Sequence, residues 1–211
     1  KIDLRKVIFK QILDNLGGNI RLVLYGSAPM DKETIIGFNN FGIELVQGYG
    51  LTETSPVIAA ESDKEKKPGA VGLALPSLNV KIDEPDENGE GEILVKGPSV
   101  MMGYYNNDEE NRKAFKDGWF KTGDYGYMTD DGFIYVTGRK KDIIVLQNGK
   151  NVYPQEIEFL INKLPYVTES LVYQRGKNKT DTMLCAKIVY DKDLIRENLG
   201  EKTEKEYQEI I

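Results

Sequence analysis

The 211-residue chain contains no histidine. That absence removes a Ser-His-Asp triad, a Cys-His nucleophile pair and any histidine-ligated metal centre from the chemistry these residues can support. Cys185 is the single cysteine, so no intramolecular disulfide framework can form, and a buried structural thiol is the simplest reading of it. Long apolar runs are missing as well. Nothing approaches the roughly 18 residues that a membrane-spanning helix needs, and no signal-peptide pattern opens the sequence. Positive charge is not in excess: the formal net charge is −6, which argues against a nucleic-acid groove as the main function. These absences lead to the expectation of a cytoplasmic protein with no transmembrane segment and no nucleic-acid partner. An initiating methionine is also lacking. The chain opens on helical periodicity (Ile2, Leu4, Val7, Ile8, Ile12, Leu13, Leu16) and stops at "EKEYQEII" inside another helical pattern, so a piece truncated at both ends is expected.

What is present describes a globular chain, 40% hydrophobic and 29% charged. The first helix should stop at Gly17-Gly18. The apolar run Ile20 to Tyr25 reads as a buried strand, Asp31 to about Phe41 as a helix, and Ile43 to Val46 as a second strand. Strand, helix, strand at this spacing is a parallel βαβ unit. Ligands sit outside the carboxyl ends of such strands, so the loops "GSAPM" and "QGYGLTE" should open on one edge of the sheet. "ESDKEKKPG" reads as a solvated surface loop. From Gly69 to Gly138 short strands separated by "DENGEG", "KDG" and "TDDG" suggest an antiparallel sheet, broken by a helix from Asp108 to Phe115. After the charged linker "GRKKD" come a strand at Ile143 to Leu146, the turn "NGKN", a helix opened by Pro154 and two more strands. The fold class is therefore α/β, α+β overall: a parallel βαβ portion plus an antiparallel β subdomain, then a small α+β C-terminal domain. The expected division is 1–140 and 141–211.

Several residues carry chemistry in this frame, each beside a plainer role. Tyr49, between Gly48 and Gly50, offers a flat ring for a purine and glycines that let backbone approach it; taken by itself it reads more readily as a core tyrosine in a glycine-rich turn. Thr52 offers a donor to a phosphate oxygen and Glu53 a hard oxygen ligand for Mg²⁺, while Thr52 or Thr54 is also a natural capping residue. The small-residue loop of "GSAPM" can cover the other face of a base, or simply turn from strand to helix. Asp124 in "KTGDYG" can accept both hydroxyls of a ribose, or organise an exposed Asx turn between two strands. The fork of Arg139 suits phosphate or ribose oxygens, or a basic surface linker.

In order and spacing, "YGSAPM", "QGYGLTETSP", "GEILVKGPSVMMGYYN", "GWFKTGDYG" and "GRKKDIIVLQNGKNVYPQEIE" resemble the successive motifs of the adenylate-forming superfamily of acyl-CoA synthetases, peptide-synthetase adenylation domains and luciferases. The resemblance covers about Ile20 to Tyr190, and "GRKKDIIVLQNGKNVYP" looks most like the long-chain fatty-acid–CoA ligases. It implies that residues 1–140 are the C-terminal part of a large AMP-binding domain and 141–211 an incomplete small domain. It implies adenine held between Gly26-Ser27-Ala28 and Tyr49, with Gly50 beside it, phosphate at Thr52, magnesium at Glu53, ribose at Asp124, and ribose or phosphate at Arg139. The domain pivot falls on Lys141, and Gly149 belongs to the turn that lines the pantetheine tunnel.

The implied substrates are ATP with Mg²⁺, a fatty acid and coenzyme A, joined through an acyl-adenylate with release of pyrophosphate and AMP. Within these 211 residues there is no Ser/Thr/Gly-rich phosphate loop and no adenylation lysine in a C-terminal Gly-Lys motif. The chain alone is therefore expected not to turn over. Two other readings stand beside this one: an adenylating enzyme that loads an aryl or amino acid onto a carrier protein, and a non-catalytic nucleotide-binding module.

Overall fold

The computed structural model describes residues 4–26, 30, 32–62, 64–146, 148–176, 183–203 and 205–207. The opening helical pattern is broken into α1 (Arg5–Ile8) and α2 (Lys10–Asn15) at Phe9, whose ring packs edge-on against Phe41 at 5.1 Å. Gly17 and Gly18 follow at positive φ, where the Gly18 N–H returns to the Leu13 carbonyl at 2.7 Å. Strand β1 (Leu22–Tyr25), helix α3 (Lys32–Phe41) and strand β2 (Glu44–Gly50) form the expected unit, β1 and β2 being parallel from Leu22↔Glu44 to Tyr25↔Gln47.

β2 does not end at Val46. It runs on through Gly50 because β3 (Val57–Ala60) returns antiparallel on its far side, pairing Gly48 with Ala60 and Tyr49 with Ala59. The glycine-rich segment read as a loop is therefore ladder. Next come β4 (Gly72–Ala74), β5 (Asn79–Asp83), β6 (Gly91–Lys96), α4 (Asp108–Ala114), β7 (Phe115–Lys116), β8 (Trp119–Met128) and β9 (Phe133–Arg139). Helix α4 starts where Asn107 accepts from the Glu110 N–H, with acids in its first turn and Arg112 and Lys113 in its last, matching the helix dipole.

All nine strands join one sheet, ordered β1-β2-β3-β4-β9-β8-β6-β5 with β7 on β8. Ile58, Ala59, Val71, Leu78, Ile93, Val95 and Ile134 make its contiguous core. The charged loop after β3 is largely exposed, as expected, and is also tethered: Lys66 donates to the Leu45 carbonyl at 2.9 Å and pairs with Glu44, and Lys67 pairs with Asp131.

The chain divides into two compact units, 1–136 and 137–211. In the second, β10 (Ile144–Val145) pairs with β11 (Asn151–Val152) around the turn at Gly149, and α5 (Pro154–Ile161) begins on its proline. Strands β12 (Val167–Arg175) and β13 (Met183–Tyr190) form an antiparallel pair, followed by α6 (Lys192–Leu199), which Asp191 caps by accepting from the Leu194 N–H at 2.9 Å. Cys185 lies in β13 opposite Tyr173 and is half-exposed, so it is not the buried thiol expected. No helix among the described residues is long and apolar enough to cross a membrane.

Candidate functional site

The turn after β2 is built by its own glycine and one of its threonines. A Cβ on Gly50 would lie 1.8 Å from the Pro56 carbonyl oxygen, an impossible approach. Glycine here is demanded by the protein's own loop, so it needs no ligand to explain it. The same carbonyl accepts the Leu51 N–H at 2.8 Å. Thr54, fully buried, accepts the Leu51 N–H at 3.1 Å and has the carbonyls of Leu51 and Pro56 at 2.9 and 2.8 Å to donate to. The capping duty thus falls on Thr54. Thr52 is left exposed and Glu53 half-buried on the same one-turn 3₁₀ helix.

Tyr49 and Asp124, 75 positions apart, meet: the Tyr49 hydroxyl donates to the Asp124 Oδ2 at 2.7 Å. Asp124 is only 4% exposed. It sits inside the continuous strand β8, so the exposed Asx turn does not exist. A bulge aims it. Leu94 opposes Lys121 while Glu92 opposes Tyr125, so the intervening stretch of β8 is longer than its partner, and Gly123 absorbs the excess at φ +72°. The Thr122 hydroxyl pins the bulge, donating to the Ile93 carbonyl at 2.8 Å and accepting the Asp124 N–H at 3.1 Å.

Along the sheet order, β2 and β8 are four strand spacings apart, about 19 Å if the sheet were flat. A tyrosine and an aspartate cannot bridge that distance, so the sheet of this unit curls to bring them together.

Gly26, just after β1, closes on the neighbouring segment: a Cβ there would lie 2.9 Å from the Gly48 carbonyl, next to Tyr49. Ser27 and Ala28 lie outside the described residues. Beside them Tyr25 donates to the Gln47 side chain at 3.2 Å; burial, then the charge of Glu61, raises its phenol above the ordinary range.

Glu53 has a neighbour that reading the sequence did not single out. The Tyr104 hydroxyl donates to Glu53 Oε1 at 2.9 Å, and the Met101 N–H donates to the Glu53 carbonyl at 2.8 Å. Burial, then the hydrogen bond and charge of Glu53, hold the Tyr104 phenol above its ordinary value. At neutral pH it is a donor. The only sequence signal was the motif "GEILVKGPSVMMGYYN", whose second half contains this tyrosine.

Among the described residues no group of three or more His, Cys, Asp or Glu could cage a metal. Glu53 alone suits Mg²⁺ delivered on a nucleotide, since that ion keeps several waters and takes one or two carboxylates plus substrate phosphates. In the second unit, Arg139 ends β9 and starts the 3₁₀ turn Lys140–Asp142, where Lys141 is exposed. Gly149 stands at φ +81° with open space where a Cβ would be, in a turn where Asn148 accepts the Lys150 N–H at 3.0 Å.

Residues 5–105 match the family described as AMP-binding enzyme. A long-chain-fatty-acid–CoA ligase of Mycobacterium bovis is 37% identical over 82% of this chain and 28% of its own length. A 2-succinylbenzoate–CoA ligase of Listeria innocua is 39% identical over 86% of this chain and 40% of its own. The solved structure of the o-succinylbenzoate coenzyme A synthetase of Bacillus subtilis with ATP and magnesium superposes with a TM-score of 0.73 and 32% identity, over 90% of this chain and 44% of that one. The chain thus spans 28% to 44% of the length of these three relatives.

Proposed function

We propose, from the premise that this chain belongs to the AMP-binding, adenylate-forming superfamily, that the protein carrying it is an AMP-forming acyl-CoA ligase. Its substrate carboxylate attacks the α-phosphorus of Mg·ATP, forming the acyl-adenylate and releasing pyrophosphate; the coenzyme A thiol then displaces AMP and loses its proton to give the thioester. Neither step needs a protein nucleophile or a histidine base. What is needed is alignment and neutralisation of phosphate charge. Tyr49 offers its ring to adenine opposite the loop of Gly26, Ser27 and Ala28. Asp124 accepts the ribose hydroxyls, Thr52 donates to phosphate, Glu53 meets the Mg²⁺ carried by ATP, and Arg139 offsets phosphate charge. Lys141 is the pivot of the second unit, and Gly149 the turn that meets the pantetheine arm.

The observation that carries this reading is the buried Asp124 carboxylate joined to the Tyr49 hydroxyl. It unites the ring and the carboxylate that a nucleoside would need, from two distant strands. For the acyl group we propose a long-chain fatty acid, supported by the "GRKKDIIVLQNGKNVYP" motif and the mycobacterial relative; a cytoplasmic location goes with it. An aromatic carboxylate is the second reading, favoured by the 39% identity to the Listeria 2-succinylbenzoate ligase.

ATP–pyrophosphate exchange by the protein that carries this chain, run with palmitate and with 2-succinylbenzoate, tests both. The 211-residue chain by itself should show no exchange, lacking the phosphate loop and adenylation lysine. Asp124→Asn keeps an acceptor for Tyr49 but removes the charge. Calorimetric titration should find AMP bound about ten- to a hundredfold more weakly. Unchanged affinity would remove Asp124 from the site.

A further inference from the structure

Tyr104 does not reach Glu53 by chance. Its backbone is gripped on both sides by one side chain, Asn111 of α4: the Asn111 Oδ1 accepts the Tyr104 N–H at 2.6 Å and its Nδ2 donates to the Tyr104 carbonyl at 3.0 Å. The grip leaves no room at the preceding residue. A Cβ on Gly103, which sits at φ +146°, would lie 2.8 Å from Asn111 Oδ1 and 3.1 Å from its Cγ. A second clasp closes the same segment, the Met101 N–H donating to the Glu53 carbonyl. The loop between β6 and α4 is thereby fastened to the 3₁₀ turn at two points. Neighbouring side chains do not share in this. Met102 and Tyr105 stand almost wholly in solvent, at 104% and 93% exposure, so the loop spends one of its two adjacent tyrosines on the carboxylate and leaves the other free of packing. Among the described residues, Tyr104 makes the one hydrogen bond to the Glu53 carboxylate, and it goes to Oε1.

We infer that Tyr104, clamped by Asn111, is a positioning residue for the nucleotide reaction: its hydroxyl fixes the Glu53 carboxylate by Oε1 so that Oε2 is presented to the Mg²⁺ that arrives with ATP. The inference rests on the proposed function for the role of Glu53. It adds a residue that neither composition nor motif order assigns. A neutral hydroxyl suits this task, because it orients a carboxylate without cancelling its charge as a lysine or arginine would. Tyr104 touches neither metal nor nucleotide in this scheme; it acts through Glu53.

Two measurements test it, one of them independent of turnover. In the first, the protein that carries this chain is titrated calorimetrically with Mg·ATP and with AMP. Tyr104→Phe and Glu53→Gln should each weaken Mg·ATP binding about tenfold while AMP affinity stays put. Unchanged Mg·ATP affinity in Tyr104→Phe beside a loss in Glu53→Gln would mean that the hydroxyl does not position the carboxylate, and would overturn the inference.

In the second, the Mg²⁺ concentration giving half-maximal pyrophosphate exchange is measured in the protein that carries this chain. Tyr104→Phe should raise it about tenfold, with exchange at saturating Mg²⁺ and the melting temperature nearly unchanged. Asn111→Ala should raise it about threefold, and Tyr105→Phe not at all. Wild-type Mg²⁺ dependence in Tyr104→Phe would reduce the bond to a surface stitch and overturn the positioning role. If Glu53→Gln itself left exchange and its Mg²⁺ dependence intact, the assignment of Glu53 in the proposed function would fail, and this inference with it. The first titration then shows which of the two was at fault.

Discussion

Residues 1–136 and 137–211 are written in the same idiom, short apolar strands alternating with amphipathic helices, yet they bury those strands unequally. In the first unit Ile58, Ile93, Leu94 and Ile134 are completely inaccessible. In the second, Ile195 is inaccessible while Leu160, Leu171 and Met183 are more than half exposed. The cause is sheet size. A nine-stranded sheet that curls gives its central strands neighbours on both edges and packing on a common interior. Among the described residues, the strands that lie wholly in the second unit form two-stranded sheets, and α5 packs beside β12, where Ser170 and Val172 are buried while Leu171 and Tyr173 of the alternate face stay open. Isolated strand pairs are marginal in water, so the second unit depends on its helices far more than the first.

The comparison predicts where damage will be felt. Ile134→Ala opens a cavity in the closed core and should cost about 2–5 kcal/mol, read as a large drop in the thermal midpoint. Leu171→Ser, on the open face of β12, should stay within about 0.5 kcal/mol. Equal losses would end the claim that the units differ in core closure.

Two glycines of the proposed site come next. Gly50→Ala drives a methyl into the Pro56 backbone, and overpacking against a group that cannot yield should cost about 3 kcal/mol. Gly149→Ala meets no neighbour and suffers only from its left-handed backbone, roughly 1–2 kcal/mol. Urea unfolding of both variants ranks them; a costlier Gly149 would reverse the argument.

The smallest effect is expected at the tethered loop. Lys66→Ala removes its hold on Glu44 and the Leu45 carbonyl and should lower stability by at most about 1 kcal/mol. It should nonetheless speed cleavage after Glu65 by a glutamate-specific protease, and an unchanged rate would mean the tether holds nothing.

Much of this was legible from residue pattern alone, and the failures share a cause. The parallel pair β1–β2, the antiparallel sheet, α4 and the helix starting at Pro154 follow from apolar period and turn residues, which are local. The extension of β2 through Tyr49 was not visible, because glycines read as loop until an opposing strand supplies their hydrogen bonds. Asp124 looked like a turn residue because Gly123 precedes it; only the register of β6 shows that this glycine belongs to a bulge inside one strand. The threonines of "LTETSP" offered both a cap and a phosphate donor, and the structure gives the cap to Thr54. Tyr104 was present in a quoted motif, but its reach to Glu53 depends on Asn111, seven residues on. Relations set by long-range register are not written in any short window.

The bond between Tyr49 and Asp124 has a kinetic meaning as well. Its partners come from strands separated by three others in the curled sheet, so no local hairpin or half-formed sheet can bring them together. Pairings at such sequence separation form late, after the loop-closure entropy of the intervening chain has been overcome. On the proposed function, nucleotide competence in this unit is an all-or-none property. A chain that has collapsed but not curled would have the helices, the turns and most of the ladder, and still no place for a nucleoside.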